Sequence, residues 1–147
     1  MSMTVRRATP NDAARICALI NRFTSDGTLL PRTEEFVSSH AHNFIVAELA
    51  GRVVGCVHLD EYAPSLSELR SLAVDPDAQG KRVGTALVQA TEELARKRGA
   101  ATLFAVSNDE AFFNRFGFFR EEIHELDRER SEVSRYKGVY AKPLDVV

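Results

Sequence analysis

The sequence is poor in the residues that would staple or anchor a chain. Two of its 147 residues are cysteines, Cys17 and Cys56. Cys17 falls in a helical apolar pattern and Cys56 in a strand pattern, so they offer neither a disulfide framework nor a CxxC metal site. Buried free thiols in a reducing compartment are the expectation. No apolar run reaches the length of a membrane span. Residues 1–7 lack an apolar signal core, so a cytoplasmic protein with no membrane partner is expected. A basic excess is also missing. Lys and Arg number 19 against 21 Asp and Glu, a formal net charge of −2, which argues against nucleic acid as a partner. The densest basic group, Arg96-Lys97-Arg98, ends a predicted helix, where cations complement the dipole. The histidines His40, His42, His58 and His124 show no metal spacing beyond His40-x-His42, and no metal is expected. Internal repeats and low-complexity tracts are absent.

What remains is an ordinary globular composition, 44% hydrophobic and 27% charged. At this length one domain spanning residues 1–147 is expected, with a core large enough to need no staples. The apolar spacing predicts a strand over 5–8. A helix follows Pro10-Asn11-Asp12, with Ala14, Ile16, Cys17, Leu19, Ile20 and Phe23 on one face. Thr33 reads as the N-cap of a second helix. Residues 43–50 and 53–61 form a predicted hairpin about Gly51-Arg52, and 67–74 a third meander strand ending at Asp75-Pro76. Residues 79–98 are the strongest helix, with Val83, Ala86, Leu87, Ala90, Leu94 and Ala95 in steps of three and four and Gly99 as its C-cap. A strand at 102–106, a short helix at 108–115 and closing strands at 118–123 and 136–141 complete the order, with a polar segment between the last two. A meander followed by strand-helix-strand predicts an α/β (α+β) mixed sheet with helices on both faces.

One stretch suggests chemistry. Leu72-Ala73-Val74-Asp75-Pro76 runs through a turn into Gln79-Gly80-Lys81-Arg82-Val83-Gly84-Thr85 and then a long helix. A helix start offers unpaired N–H groups and the positive end of the dipole, which together suit an anion. Gly80 and Gly84 let phosphate oxygens approach the backbone, and Lys81 and Arg82 add positive charge. The spacing is neither GxGxxG nor a P-loop. By itself it fits good capping as well as anion binding.

The pattern Leu-x-Val-x-Pro-x-x-Gln-Gly-x-x-x-Gly before an amphipathic helix resembles the acetyl-CoA motif of the GNAT acetyltransferase superfamily. That loop is Arg/Gln-x-x-Gly-x-Gly/Ala; Gln79 and Gly84 match its ends and Arg82 replaces its inner glycine. Asn108-Asp109-Glu110-Ala111-Phe112-Phe113-Asn114-Arg115-Phe116-Gly117-Phe118 resembles the second family signature, Asn-x-x-Ala-x-x-Tyr-x-x-x-Gly-Phe. The resemblance implies a central mixed, mostly antiparallel sheet of the acyl-CoA N-acyltransferase type. It implies that Leu72, Ala73 and Val74 lie along the pantetheine arm of acetyl-CoA. Backbone groups of Arg82, Val83, Gly84 and Thr85 would hold the pyrophosphate, with Gln79, Gly80 and Lys81 also among the cofactor-binding residues. Asn108 with Phe112 or Phe113 would flank the thiol end. Many relatives place an acid Tyr where this chain has Phe113, and a phenyl ring donates no proton. Tyr136 and Tyr140 are substitutes that read equally as strand aromatics. Glu68, just before the cofactor strand's core residues, is the candidate base, since a carboxylate facing a closed cleft takes a proton more readily than one in water.

Within the superfamily the sequence resembles the acetyltransferase domain of N-acetylglutamate synthases and related short amino-acid acetyltransferases. Leu29-Leu30-Pro31-Arg32, Val54-Gly55-Cys56-Val57-His58-Leu59 and the Phe112-Phe113 signature carry that likeness. It implies Arg32 as the grip on an acceptor carboxylate, which a guanidinium holds through two parallel hydrogen bonds. Arg70 and Arg135 are further candidates, and His58 is a candidate cleft residue. The terminal Arg-x-Ser-Lys-Val of the synthases reads Arg135-Tyr136-Lys137-Gly138-Val139 here. A homodimer through the late strands is implied as well. Two alternatives stay open: acetyl transfer to a protein, peptide or polyamine amine, and a non-catalytic acyl-CoA-binding module.

Overall fold

The computed structural model describes residues 2–25, 27–134 and 137–144. Seven strands hydrogen-bond in the order β1-β2-β3-β4-β5-β7-β6, a mixed sheet in which β4 and β5 run parallel. The strands are β1 (Met3–Arg7), β2 (Phe44–Leu49), β3 (Arg52–Ala63), β4 (Leu66–Val74), β5 (Thr102–Ser107), β6 (Phe119–Arg120) and β7 (Gly138–Pro143). Five α-helices accompany them: α1 (Ala13–Asn21), α2 (Glu34–Ser39), α3 (Val83–Lys97), α4 (Glu110–Asn114) and α5 (Arg128–Ser134). By contact density the chain forms two compact units, Met1–Leu59 with Leu69–Leu94, and Asp60–Glu68 with Ala95–Val147.

In the first unit α1 follows a tight turn, Pro10–Asp12, in which Asp12 accepts from the Thr9 N–H at 2.7 Å. Arg6 grips Asp12 at 2.9 Å and Glu48 at 2.7 Å, tying β1 and β2 to that turn. The predicted apolar face of α1 is the buried one. Ile16, Cys17, Leu19 and Ile20 join Val37, Phe44, Val46, Cys56 and Ala73 in one core cluster. Thr33 caps α2 as expected, its hydroxyl accepting from the Phe36 N–H at 3.1 Å. The hairpin turn is Ala50-Gly51, with φ of 52° and 76°; two left-handed residues match the twist of the flanking strands.

Helix α3 begins at Val83, the first of its apolar positions and four residues after the start expected at residue 79. Gly80 and Arg82 stand at φ of 83° and 63°, and a left-handed residue cannot continue a right-handed helix. Residues 79–82 therefore form a loop that delivers the chain to the helix start. The first turn of α3 lies against β3 at Gly55. A Cβ built on Gly55 would stand 2.8 Å from Val83 Cγ1 and 2.9 Å from Leu87 Cδ1.

In the second unit β4 pairs with β5 from Leu66↔Thr102 to Glu68↔Phe104, and β5 pairs antiparallel with β7 from Thr102↔Pro143 to Ser107↔Gly138. The predicted strand at 118–123 is only Phe119–Arg120. The polar segment after it contains α5, which no apolar period announces. Residues 135 and 136, and with them the Arg135 and Tyr136 readings, lie outside the described residues.

Candidate active site

In the first unit, β4 runs into the loop and then into α3, as the sequence indicates. Ser71, inside β4, stands at φ 55°. A left-handed residue in a strand turns its peptide out of the ladder, a break that recurs next to active sites. Beyond it Ala73 is buried in the core cluster, while Leu72 and Val74 are half-buried on the other face. Asp75 closes the strand; its side chain accepts from the Asp77 N–H at 3.1 Å and from Arg15 at 2.8 Å. Arg52 at 3.4 Å and Arg22 at 4.0 Å complete a ring of guanidiniums about this buried carboxylate. The Asp77 N–H and Arg15 hold Asp75 below the usual carboxylate range.

Gln79, Gly80, Lys81 and Arg82 are exposed, Val83 is buried, and Gly84 and Thr85 are half-buried. The Gln79 side-chain amide donates to the Val74 carbonyl at 3.5 Å, folding the loop back on its strand. The Ala86 N–H donates to the Arg82 carbonyl at 3.1 Å, so Arg82 closes the first helical turn. The N–H groups at the start of such a turn have no intrahelical acceptor. With two left-handed residues preceding them they form a concave nest for an anion. Arg82 occupies the conformation that a glycine adopts freely. Lys81 and Arg52 line a shallow depression beside the loop, with Asp75 and Asp77.

A second group gathers around His58 in the same unit. His58, 3% exposed, stacks on Phe44 with centroids 4.5 Å apart and meets Phe36 edge-on at 5.7 Å. The Arg32 guanidinium lies over the Phe36 ring at 4.7 Å. Burial, then the charges of Arg32 and Arg70, push His58 down to about 3, so the imidazole is neutral. Its Nδ1 is buried without a hydrogen-bond partner among the described residues. The candidate carboxylate grips Arg32 and Arg70 thus act on one aromatic-walled spot. The charges that act most on its imidazole are basic: Arg32, Arg70, His40 and His42.

The second unit carries the remaining candidates. Asn108 is exposed at the end of β5, and Asp109 caps α4 by accepting from the Phe112 N–H at 3.1 Å. Phe112 is half-buried. Phe113 is buried, its ring parallel to Tyr140 at 6.3 Å and edge-on to Phe118 at 5.5 Å, so it packs inward. Tyr140 is also buried, and its hydroxyl accepts from Arg120 at 3.4 Å. Glu68 is 1% exposed and receives a hydrogen bond from Arg130 of α5. The sequence reading has Glu68 as a carboxylate facing a closed cleft; the structure has it buried and paired with a guanidinium. Arg130 is the residue that sequence reasoning missed. In Asp127-Arg128-Glu129-Arg130-Ser131-Glu132 it reads as one charge of a solvated helix.

Among the described residues no group of three His, Cys, Asp or Glu is placed to hold a metal ion. None of the described helices is long and apolar enough to cross a membrane.

The acetyltransferase (GNAT) family model matches residues 13–118. An uncharacterized N-acetyltransferase of Chlorobaculum tepidum is 32% identical over 114 residues, 78% of this chain and 74% of that protein. The amino-acid acetyltransferase of Ralstonia nicotianae is 32% identical over 135 residues, 90% of this chain but 30% of that protein. The structure of N-acetylglutamate synthase from Neisseria gonorrhoeae, complexed with coenzyme A and N-acetyl-glutamate, superposes with a TM-score of 0.88 at 29% identity. It covers 99% of this chain and 36% of the synthase. The chain thus spans about a third of the length of these two larger proteins.

Proposed function

The chain belongs to the acetyltransferase (GNAT) family, and on that premise we propose that it transfers the acetyl group of acetyl-CoA to the α-amino group of a free amino acid such as glutamate. Acetyl-CoA supplies a thioester, with an electrophilic carbonyl carbon and a thiolate leaving group. The loop fits its pyrophosphate. Gly80 and Arg82 turn the backbone left-handed just before the free N–H groups of Val83, Gly84 and Thr85. Leu72, Ala73 and Val74 offer strand backbone to the pantetheine amides. Asn108 and Phe112, exposed and half-buried at the end of β5, flank the thiol end; Phe113 backs them from the core. The break at Ser71 re-aims a peptide N–H toward the carbonyl oxygen, where a fixed donor stabilises developing negative charge.

Glu68 takes one proton from the acceptor ammonium, leaving a neutral amine. The amine lone pair forms the new C–N bond as the C–S bond breaks. The second nitrogen proton leaves with the thiolate. Phe113 donates no proton, so that nitrogen proton reaches the thiolate directly or relayed through a water, and Glu68 afterwards returns its own proton to solvent.

The observation that carries the acceptor class is the environment of His58. An uncharged imidazole between aromatic rings, under the charges of Arg32 and Arg70, suits a carboxylate and opposes a polyamine. Release of CoA thiol, measured across amino acids, polyamines and peptides, tests the reading. Turnover of a carboxylate-bearing amino acid, lost in Arg32→Ala through a rise in KM, is the expected result. Turnover of polyamines alone would overturn it, and so would tight acetyl-CoA binding with no turnover of any acceptor.

A further inference from the structure

Glu68 and Arg130 are both more than nine-tenths buried, at 1% and 8% exposure, and come from different elements, β4 and α5. A guanidinium Nη2 donates to one carboxylate oxygen. Such a pair is weak ground for stability, because desolvation offsets most of the attraction. The Nε of Arg130 is buried as well, with no hydrogen-bond partner among the described residues. A native structure rarely leaves a charged donor in that condition unless a ligand or water completes it.

Polar contacts fix the start of the helix that carries Arg130. The Asp127 N–H donates to the Tyr62 hydroxyl at 2.5 Å, and Asp127 Oδ1 accepts from the Arg130 N–H at 3.0 Å. Ile123 and Leu126, ahead of the helix, pack on a small cluster of Leu66, Phe104 and Ala141. A short segment held this way opens at lower cost than the core. Arg130 of α5 and Tyr62 of β3 are among the charged and titratable groups that act with Glu68, and its register partner on β5 is the apolar Phe104.

A buried carboxylate beside a buried guanidinium is the complement of an ammonium beside a carboxylate. That is the head group of a free α-amino acid. We propose that the Glu68–Arg130 pair recognises the zwitterionic head of the acceptor, Arg130 taking the α-carboxylate through its Nε edge while Glu68 faces the ammonium. This rests on the amino-acid reading above and adds the residue that enforces it. Binding lifts α5 enough to admit the head group and exchanges one carboxylate partner of Arg130 for another. Glu68, relieved of its guanidinium, becomes the stronger base when the ammonium arrives. One N–H bond then breaks, one O–H bond forms on Glu68, and the nitrogen keeps its lone pair. Polyamines and peptide N-termini bring no carboxylate next to the amine, so Arg130 repels the first and gains nothing from the second.

The test compares one accepted amino acid with the same compound as its α-carboxamide, in wild type, Arg130→Gln and Arg130→Lys. A charge-assisted hydrogen bond sets the scale, so wild type prefers the free acid by about 10- to 100-fold in kcat/KM. Arg130→Gln loses that preference through KM for the acid, so that the acid-to-amide ratio of kcat/KM falls toward unity whatever the common change in rate. Arg130→Lys restores part of it. Equal loss on acid and amide would mean that the pair only holds the fold, and the proposal falls. If Arg130→Gln does not fold, wild type decides alone: equal rates for acid and amide overturn the proposal. Amino-acid turnover that ignores Arg130 sinks this proposal and spares the function. Turnover of non-amino-acid amines alone sinks both.

Discussion

Gly55→Ala adds one methyl group where α3 leaves no room. The new Cβ would stand 2.8 Å from Val83 Cγ1 and 2.9 Å from Leu87 Cδ1, against an optimum of about 3.5–4.0 Å between carbons. The helix start must therefore retreat by roughly 1 Å, because Val83 is β-branched and its rotamer is fixed in a helix. Overpacking of this kind costs about 1–3 kcal/mol. For a chain of this size each kcal/mol lowers Tm by about 2–4 °C. The midpoint of that range is a drop of about 4–8 °C. The same retreat displaces the N–H groups of Val83, Gly84 and Thr85. Losing the alignment of one charge-assisted bond weakens acetyl-CoA on the order of tenfold. Calorimetric unfolding and titration with acetyl-CoA read the two effects separately. Wild-type Tm and wild-type affinity together would show that Leu87 and Val83 yield freely and that Gly55 does not seat the helix. A lowered Tm with unchanged affinity would place the phosphate nest elsewhere.

Four further variants probe the loop and the ring of arginines. Arg82→Gly removes a left-handed side chain and should stabilise the protein by about 1 kcal/mol, whereas Gly84→Trp should raise the Kd for acetyl-CoA far more than Arg82→Ala does; equal effects in a binding titration would misplace the nest. Asp75 has a lowered folded pKa, so its contribution is complete above the ordinary carboxylate value of about 3.9 and is lost as pH falls through the lower folded value. Wild type should accordingly lose Tm on acidification below about pH 4 more steeply than Asp75→Asn; parallel Tm–pH profiles would exclude Asp75 from acid unfolding.

Much of the architecture was readable in the residues because a period carried it. The face of α1, the hairpin strands and the strand-loop-helix order around Asp75 follow from apolar spacing and from Gly and Pro punctuation. The start of α3 was misread because Gln79-Gly80-Lys81-Arg82 carries no apolar residue to mark a boundary, while the left-handed turn at Arg82 has no glycine to betray it. Gly55 stood in plain view, but its reason lies in Val83 and Leu87, about thirty residues away, and no local pattern connects them. Helix α5 was invisible for a physical reason. It is short, charged and held by Tyr62 and Glu68, so its buried Arg130 resembles the solvated residues beside it.

The chain is net acidic, yet Asp75 sits among Arg15, Arg22 and Arg52, with Lys81 beside the same depression. Three guanidiniums and Lys81 against the carboxylates of Asp75 and Asp77 leave a local positive field at the mouth of the proposed phosphate loop. A polyanion in solution feels this field before it touches the protein. Association is therefore guided, and the guidance is screened beyond a Debye length of about 8 Å at physiological salt. The encounter rate with a phosphorylated carrier should drop as ionic strength rises, while the dissociation rate, set by short contacts to backbone N–H groups, stays nearly level.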